Sequence, residues 1–363
     1  MRALDIESVY GAALAELEAR GAVAAHATLR LPATALPWTD TGIDLAAGAS
    51  VTLLAAGHCT TMPGFGRGAG AKFYLWRRIV PGGDVAKGTR DTTSFVAERS
   101  GRLELAILHG EWSSPQGDLA TPAELYGLAE GELQVAVIVW RDGIDPVAHG
   151  LRQLRELIGD DDVLVGAELE RFAHPVKRPD GWSYLWLLGE SDTFAPVHAG
   201  GATTIACCTR MDAAILRKPV TLDTTADTTL TWRWRIDQLP SSLREDELNQ
   251  HDYLSVAVEW DAGKDITYFW SSELPVGTVF TCPIPQWAPR ETHVVVRRGT
   301  EGLGEWCEES RNLHRDYVDI LKEKPGRIVA VWLIAVSLFQ HGEGRAEVGP
   351  IRIDAAGRSY EIV

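Results

Sequence analysis

The chain has 363 residues, about twice a typical domain, and its 45% apolar and 23% charged residues are ordinary globular composition, so two domains are expected. A formal net charge of -15 excludes nucleic acid and anionic membrane surfaces as expected partners, because both need clustered Lys and Arg and only short pairs occur, in RRIVPGG and VVVRRG. No stretch approaches the about 18 uninterrupted apolar residues of a membrane helix, and the acidic, amphipathic start lacks the basic and apolar regions of a secretory signal, so a cytoplasmic location is expected.

In chain order, residues 4–25 read as a helix, with Leu4, Ile6, Val9, Tyr10, Leu14 and Leu17 at helical spacing and Gly21 as the stop. A strand pattern then takes over in TGIDLAAGASVTLLAAG, KFYLWRRIV, SFVAERSGRLELAILHG and ELQVAVIVWRDG. Gly- and Pro-rich loops separate these runs. The first of them, containing Gly64, Gly66, Gly68 and Gly70, has glycine spacing like a dinucleotide fingerprint but no βαβ context, so it is discounted. Residues 146–162 form a short amphipathic helix that ends at Gly159 and an acidic run.

The second half continues with GWSYLWLLGE, TTIACCTR, LTWRWRIDQL, YLSVAVEWD and ITYFWSS. After HVVVRRG comes a charged stretch, EWCEESRNLHRDYVDILKEK, that reads as a helix, then the strands RIVAVWLIAVSLF and EVGPIRID. Short strands with Gly/Pro turns and no alternating long helices indicate a mainly β protein: two antiparallel β-sandwich, jelly-roll-like domains with an N-terminal helix and one helix in the second domain. The expected division is a helix at 1–25, a sandwich at 26–150, a linker at 151–165 and a second sandwich at 166–363.

Five cysteines, Cys59, Cys207, Cys208, Cys282 and Cys307, are odd in number and form no CxxC, which suits reduced thiols better than a disulfide framework or a zinc site. Thirteen tryptophans are many. Trp serves sandwich cores and flat-ligand platforms alike, and core packing is expected to take most of them.

TWRWRIDQLP, HDYLSVAVEW, ITYFWSSELPVGT and HVVVRRGTEGLGEWCEESRNLHRDYVDIL, in that order, resemble a bacterial family known as a domain of unknown function, number three-zero-four-seven. The resemblance spans roughly residues 180–355 and implies a β-sandwich distantly like carbohydrate-binding jelly rolls, with no agreed activity. Where that family has an acidic loop with Asn and Thr after the late strand, this chain reads VSLFQHGEG. WTDTGIDLAAGASVTLLAAG and SFVAERSGRLELAILHGEW resemble the galactose-binding bacterial lectin jelly roll. That resemblance implies a fold. It leaves calcium and galactose unsupported, because Glu111 stands near the lectin's carboxylate position but the Asn pair is missing.

Four constellations carry candidate chemistry. Arg311, Asn312 and Asp316, with His314, lie on the expected helix, and an Arg, an Asn and a carboxylate together hold polyhydroxylated or anionic ligands. Tyr268 and Trp270 share one face of a strand and are expected beside them as the ligand platform, in the second domain or at the domain interface. His251 and Asp252 are acid/base candidates on opposite faces of a strand. His58, Cys59, His109 and Glu111 end strands before long loops and could meet around a metal. His341, with Gln340 and Glu343, sits in the departing loop. The candidate catalytic groups are therefore His58, His109, His251, Asp252, His314 and His341, and the metal ligands stay unknown.

The leading expectation is recognition of a carbohydrate or similar polyhydroxylated small molecule, so the expected partner is a small-molecule or glycan ligand. The alternative is a cytosolic enzyme without an organic cofactor, a lyase, hydratase or glycoside-modifying enzyme using those groups. No cofactor is expected, with a divalent metal left open. Oligomeric state is not legible.

Overall fold

A computed structural model describes residues 5–61, 68–141 and 145–363. Gly64 and Gly66 of the discounted glycine run, and Leu4 of the first helix, lie outside the described residues. The protein is mainly β, as expected. It divides into two units, one reaching to Pro175 and taking in Gly189–Ser191, the other made of Val176–Leu188 and Asp192–Val363.

The first unit packs two four-stranded antiparallel sheets face to face. One has the order Val23–Pro32, Glu130–Trp140, Ser50–Thr60, Thr92–Val96, and the other Trp38–Leu45, Gly101–Ile107, Leu75–Val80, Ala86–Lys87. Leu31, Leu53, Leu103, Leu105, Val135 and Val137 fill the space between them. The strand Glu130–Trp140 is buried on both faces, which explains its unbroken apolar run. Its outer residues Ala136, Ile138 and Trp140 are covered by the helices Ile6–Ala19, Asp145–Ile158 and Val163–Ala173. The first helix stops at Ala19, and the strand beginning at Val23 takes the residues expected to continue it. The segment expected as a linker, 151–165, is the end of one helix, a short turn and the start of the next, and it packs here: Leu151, Leu154 and Val165 are all buried in the cluster around Trp140. Asp162 caps the last helix, accepting the Val165 amide at 2.8 Å, and also accepts the Tyr10 hydroxyl at 2.7–2.8 Å.

The second unit is a larger sandwich. A six-stranded sheet runs Phe194–Ala199, Ala202–Arg210, Glu343–Ala355, Thr229–Gln238, Cys307–Asn312, with Arg358–Glu361 beside Glu343–Ala355. A seven-stranded sheet runs Val279–Thr281, Glu291–Arg298, Asp265–Ser271, Leu254–Trp260, Arg327–Val336, Ala213–Asp223, Ser183–Tyr184. Trp232, Trp234, Trp260, Tyr268 and Trp270 are fully buried between them. The expected long helix at 305–324 is mostly absent. Cys307–Asn312 is a strand paired with Thr229–Trp234, and only Leu313–Asp316 followed by one π-helical turn, Tyr317–Leu321, is helical.

One strand pair departs from the antiparallel pattern. Asp265–Ser271 runs parallel to Glu291–Arg298. Parallel neighbours need a crossover, and the segment between them supplies it. That segment folds over the outer face of the seven-stranded sheet and buries Leu274, Cys282 and Trp287 against Phe269, Tyr253 and Trp332. The second unit thus has two apolar layers, one inside the sandwich and one under the crossover.

Candidate metal centre

Strand alternation sorts Asp265–Ser271 into two sets. Ile266, Tyr268 and Trp270 enter the sandwich core, while Asp265, Thr267 and Phe269 face the crossover. The parallel register sets Asp265 opposite Glu291 and Thr267 opposite His293. Glu291 and His293 are two apart, so both turn to the same face. Val279–Thr281 pairs antiparallel on the other side, with Phe280 opposite His293 and the two rings stacked at 4.9 Å. Cys282 follows directly, and His251 arrives from the turn before Leu254–Trp260.

His251, Cys282, Glu291 and His293 are all buried, and one ligand atom from each lies within 4.8 Å of the others. His251 Nδ1 is 2.5 Å from the Glu245 carbonyl, to which it donates, leaving Nε2 as a free lone pair 3.5 Å from Cys282 Sγ. This is the outer-sphere arrangement of metal-binding histidines, in which the second nitrogen is anchored to a carbonyl or carboxylate. Glu291 Oε1 accepts the Tyr253 hydroxyl at 3.0 Å and the Thr267 hydroxyl at 3.4 Å. His293 Nε2 lies 3.3 Å from Glu291 Oε1 but out of hydrogen-bond alignment, so neither of its ring nitrogens has a hydrogen-bond partner. An unpartnered buried polar group costs about 1–3 kcal/mol.

The electrostatics are tight. Burial, then the charge of His293, lowers the His251 pKa to about 3. Burial opposes ionisation of Glu291, but the two histidines outweigh it and hold its carboxyl below the usual range. Burial, followed by the Glu291 charge, pushes Asp265 well up and Cys282 up as well. A divalent cation would reverse the Cys282 shift, since coordination stabilises the thiolate. One thiolate, one carboxylate and two neutral imidazoles would together balance such a cation.

Of the residues expected from sequence, only His251 belongs to this cluster. Asp252 accepts the amides of Phe339 and Gln340 at 2.9 and 2.7 Å and pins that turn; burial raises its pKa to about 6. His341 sits in the same turn with φ 55°. His314 is half-buried on the short helix Leu313–Asp316.

The candidate metal group of the first half, His58, Cys59, His109 and Glu111, does not form among the described residues. His58 is exposed, whereas His109 is buried with Nδ1 3.0 Å from Thr61 Oγ1 and Nε2 2.9 Å from the Ala33 carbonyl, both nitrogens engaged. Burial, then Glu132, pushes the Cys59 thiol up to about 12, against a nucleophilic role.

Arg311, Asp316 and Tyr268 do converge, but on one another. Arg311 Nε and Nη2 fork onto Asp316 at 2.7 and 2.8 Å, and Tyr268 donates to Asp316 Oδ2 at 2.9 Å. Asn312 caps the short helix through the Arg315 amide at 2.7 Å and donates to the Ala226 carbonyl at 2.9 Å. Trp270 is fully buried and donates to the Gly299 carbonyl at 2.8 Å. Tyr268 and Trp270 therefore offer no ring face to a ligand: their shared face is the inner one. Glu291 and His293 went unnoticed in sequence, and the cysteine pattern points away from a zinc site, although Cys282 reaches this cluster. The available signal was Glu-x-His on a strand, nine residues after a cysteine.

No curated protein matches the chain. Among solved structures it is similar to the EclA N-terminal domain, a PllA-like lectin (18% identity, 31% of this chain and 94% of that one, TM-score 0.25). It is also similar to the xyloglucanase domain of NopAA, a type three effector from Sinorhizobium fredii in complex with cellobiose (6% identity, 49% and 94%, TM-score 0.30). A third is a carbohydrate-binding module of the β-sandwich superfamily (12% identity, 91% and 98%, TM-score 0.23). Residues 180–352 match the model of the family described as protein of unknown function (DUF3047), so the C-terminal half of the chain, the cluster of His251, Cys282, Glu291 and His293 included, resembles that family.

Proposed function

We propose that the second unit is a metal-binding β-sandwich that takes one divalent transition-metal ion on His251, Cys282, Glu291 and His293. The observation that carries this reading is the convergence of four buried ligand atoms within 4.8 Å, with both His293 nitrogens lacking hydrogen-bond partners. Two imidazoles, a thiolate and a carboxylate form a borderline-soft set that suits zinc better than magnesium or calcium. Four protein ligands, all buried, describe a closed site, so the ion's role is to tie the crossover and the Val279–Thr281 edge to the sheet. Metal analysis of the purified chain after zinc loading and dialysis tests it. One ion per chain is expected, falling to background in His293→Ala and Cys282→Ser; sub-stoichiometric metal in the folded parent overturns it.

A second reading is recognition of a carbohydrate or similar polyhydroxylated ligand on the open face of the six-stranded sheet. It is favoured by Trp306, 37% exposed, with the guanidiniums of Arg233 and Arg235 at 5.4 and 5.5 Å from its ring. A groove of about 160 Å³ on this face is lined by Thr231, Arg233, Glu308, Arg352 and Glu361. An aromatic face flanked by paired donors and acceptors suits a sugar ring. Titration with neutral oligosaccharides, followed by tryptophan fluorescence in the parent and in Trp306→Ala, decides this reading; an unresponsive parent removes it.

A further inference from the structure

A groove of about 510 Å³ opens in the first unit between the strand Leu75–Val80, the turn after it and the segment from Phe95 to Arg99. That volume lies within the range of small-molecule sites. Arg77 lines it. The Arg77 guanidinium stacks on the Phe95 ring, its carbon 4.0 Å from the ring centre, and its Nη1 is buried without a hydrogen-bond partner. Burial lowers its pKa to about 10, which still leaves it charged at neutral pH.

The neighbouring groups differ in kind. Arg78 also lines the groove, but it is engaged by Glu104 Oε2 and the Gln116 carbonyl, each at 2.8 Å. Arg99 is exposed and crosses over Gly82, with Nη1 3.2 Å from where a Cβ at that residue would stand. Gly82 has φ +74°, so a side chain there would meet both backbone strain and this guanidinium. Asp84 and Glu98 are exposed on the rim, and Asp84 Oδ1 accepts Gln116 Nε2 at 2.9 Å.

We propose that this groove binds a small carboxylate whose neighbouring groups are hydrogen-bond donors, with the carboxylate on Arg77 and the donors toward Asp84 and Glu98. A planar guanidinium with an unmet buried N–H is matched by a two-oxygen anion in the same plane. Rim carboxylates repel a dianion and accept from hydroxyl or ammonium groups, which favours a monocarboxylate over phosphate. Phe95, Val85 and Val96 supply apolar surface for the rest of the molecule. The site is independent of the metal centre, which lies in the other unit.

Calorimetric titration of the full chain tests the proposal with galacturonate, alanine, acetate, galactose and inorganic phosphate. Galacturonate or alanine is expected to bind at least about tenfold more tightly than galactose, and the stronger of the two identifies hydroxyl or ammonium donors as the source. Acetate should bind weakly, and Arg99→Ala should weaken binding a few-fold. Arg77→Met should abolish it. If that variant does not fold, Arg77→Lys, which keeps the charge and loses the fork, should weaken it about tenfold. Equal binding of galactose, preference for phosphate, no binding by either donor-bearing acid, or full affinity in folded Arg77→Met or Arg77→Lys overturns the proposal.

Discussion

Asp265 lies directly across the parallel strand pair from Glu291, and both carboxyl groups are buried on the crossover face of the seven-stranded sheet. Two carboxylates so placed do not both ionise without a counter-charge, and Asp265 is the one driven to keep its proton. Its Oδ1 accepts the Thr267 hydroxyl at 3.0 Å while Oδ2 has no partner. The pair therefore divides the work: Glu291 faces His293 as the ionised carboxylate, and Asp265 stands behind it.

Metal removal should loosen this layer. A bound ion present at about a hundred times its dissociation constant stabilises the fold by about 3 kcal/mol. Scanning calorimetry of the zinc-loaded protein before and after a chelator should show a lower unfolding temperature, restored by adding zinc back. Cys282→Ser should melt at the chelated protein's temperature and ignore the chelator. A chelator that strips the ion without moving the transition would show that the ion does not hold the crossover.

The Arg311–Asp316–Tyr268 network should prove structural. Arg311→Ala leaves Asp316 buried with one donor. Breaking a fully buried pair costs about 3–5 kcal/mol, and because the Arg311 side chain is 33% exposed, a loss of about 2 kcal/mol is expected. Trp270→Ala should cost about 3–5 kcal/mol through the cavity it leaves. Urea denaturation measures both, and an Arg311→Ala midpoint equal to the parent's would reject the internal-pairing account.

Glu168 gives the first unit an acid-sensitive contact. It is fully buried, accepts Thr92 Oγ1 at 2.8 Å and is forked by Arg171, with Nη2 at 2.5 Å and Nε at 3.0 Å. Burial raises its pKa, but these bonds and the Arg171 charge prevail and lower it. A depressed folded pKa means stability that is present above the unfolded value, about 4.3, and lost as pH falls through the folded value. Glu168→Gln should therefore melt below the parent at neutral pH, with the difference shrinking in acid. A constant difference from neutral pH down to acid would contradict this.

Asp162 should behave as a joint of the first unit. Asp162→Ala removes the helix cap and the acceptor for Tyr10, at about 1–2 kcal/mol for the cap alone. Limited proteolysis should leave 151–165 intact in the parent and cut there in the variant. Rapid cutting of the parent would show that this segment behaves as a linker after all.

The strands were legible because alternation and Gly/Pro punctuation are local. That Tyr268 and Trp270 share a face followed from the two-residue period, whereas His251 and Asp252, expected on opposite faces of a strand, lie in the turn before Leu254–Trp260. The convergence of Arg311 and Asp316 with Tyr268 was also foreseeable, since a charged helix start must pair with something nearby. Alternation names two faces of a strand but does not say which is the interior. Here the inner face took the tyrosine and tryptophan, and the outer one took Asp265 and Thr267.

The sequence by itself determined the β architecture and the sets of residues that move together along each strand. Only the tertiary structure decided the site. His251, Cys282, Glu291 and His293 come from three chain segments, and a crossover with one parallel strand pair brings their ligand atoms within 4.8 Å. Strand pairing partners and the path of a crossover depend on non-local packing, to which no single strand's periodicity is sensitive.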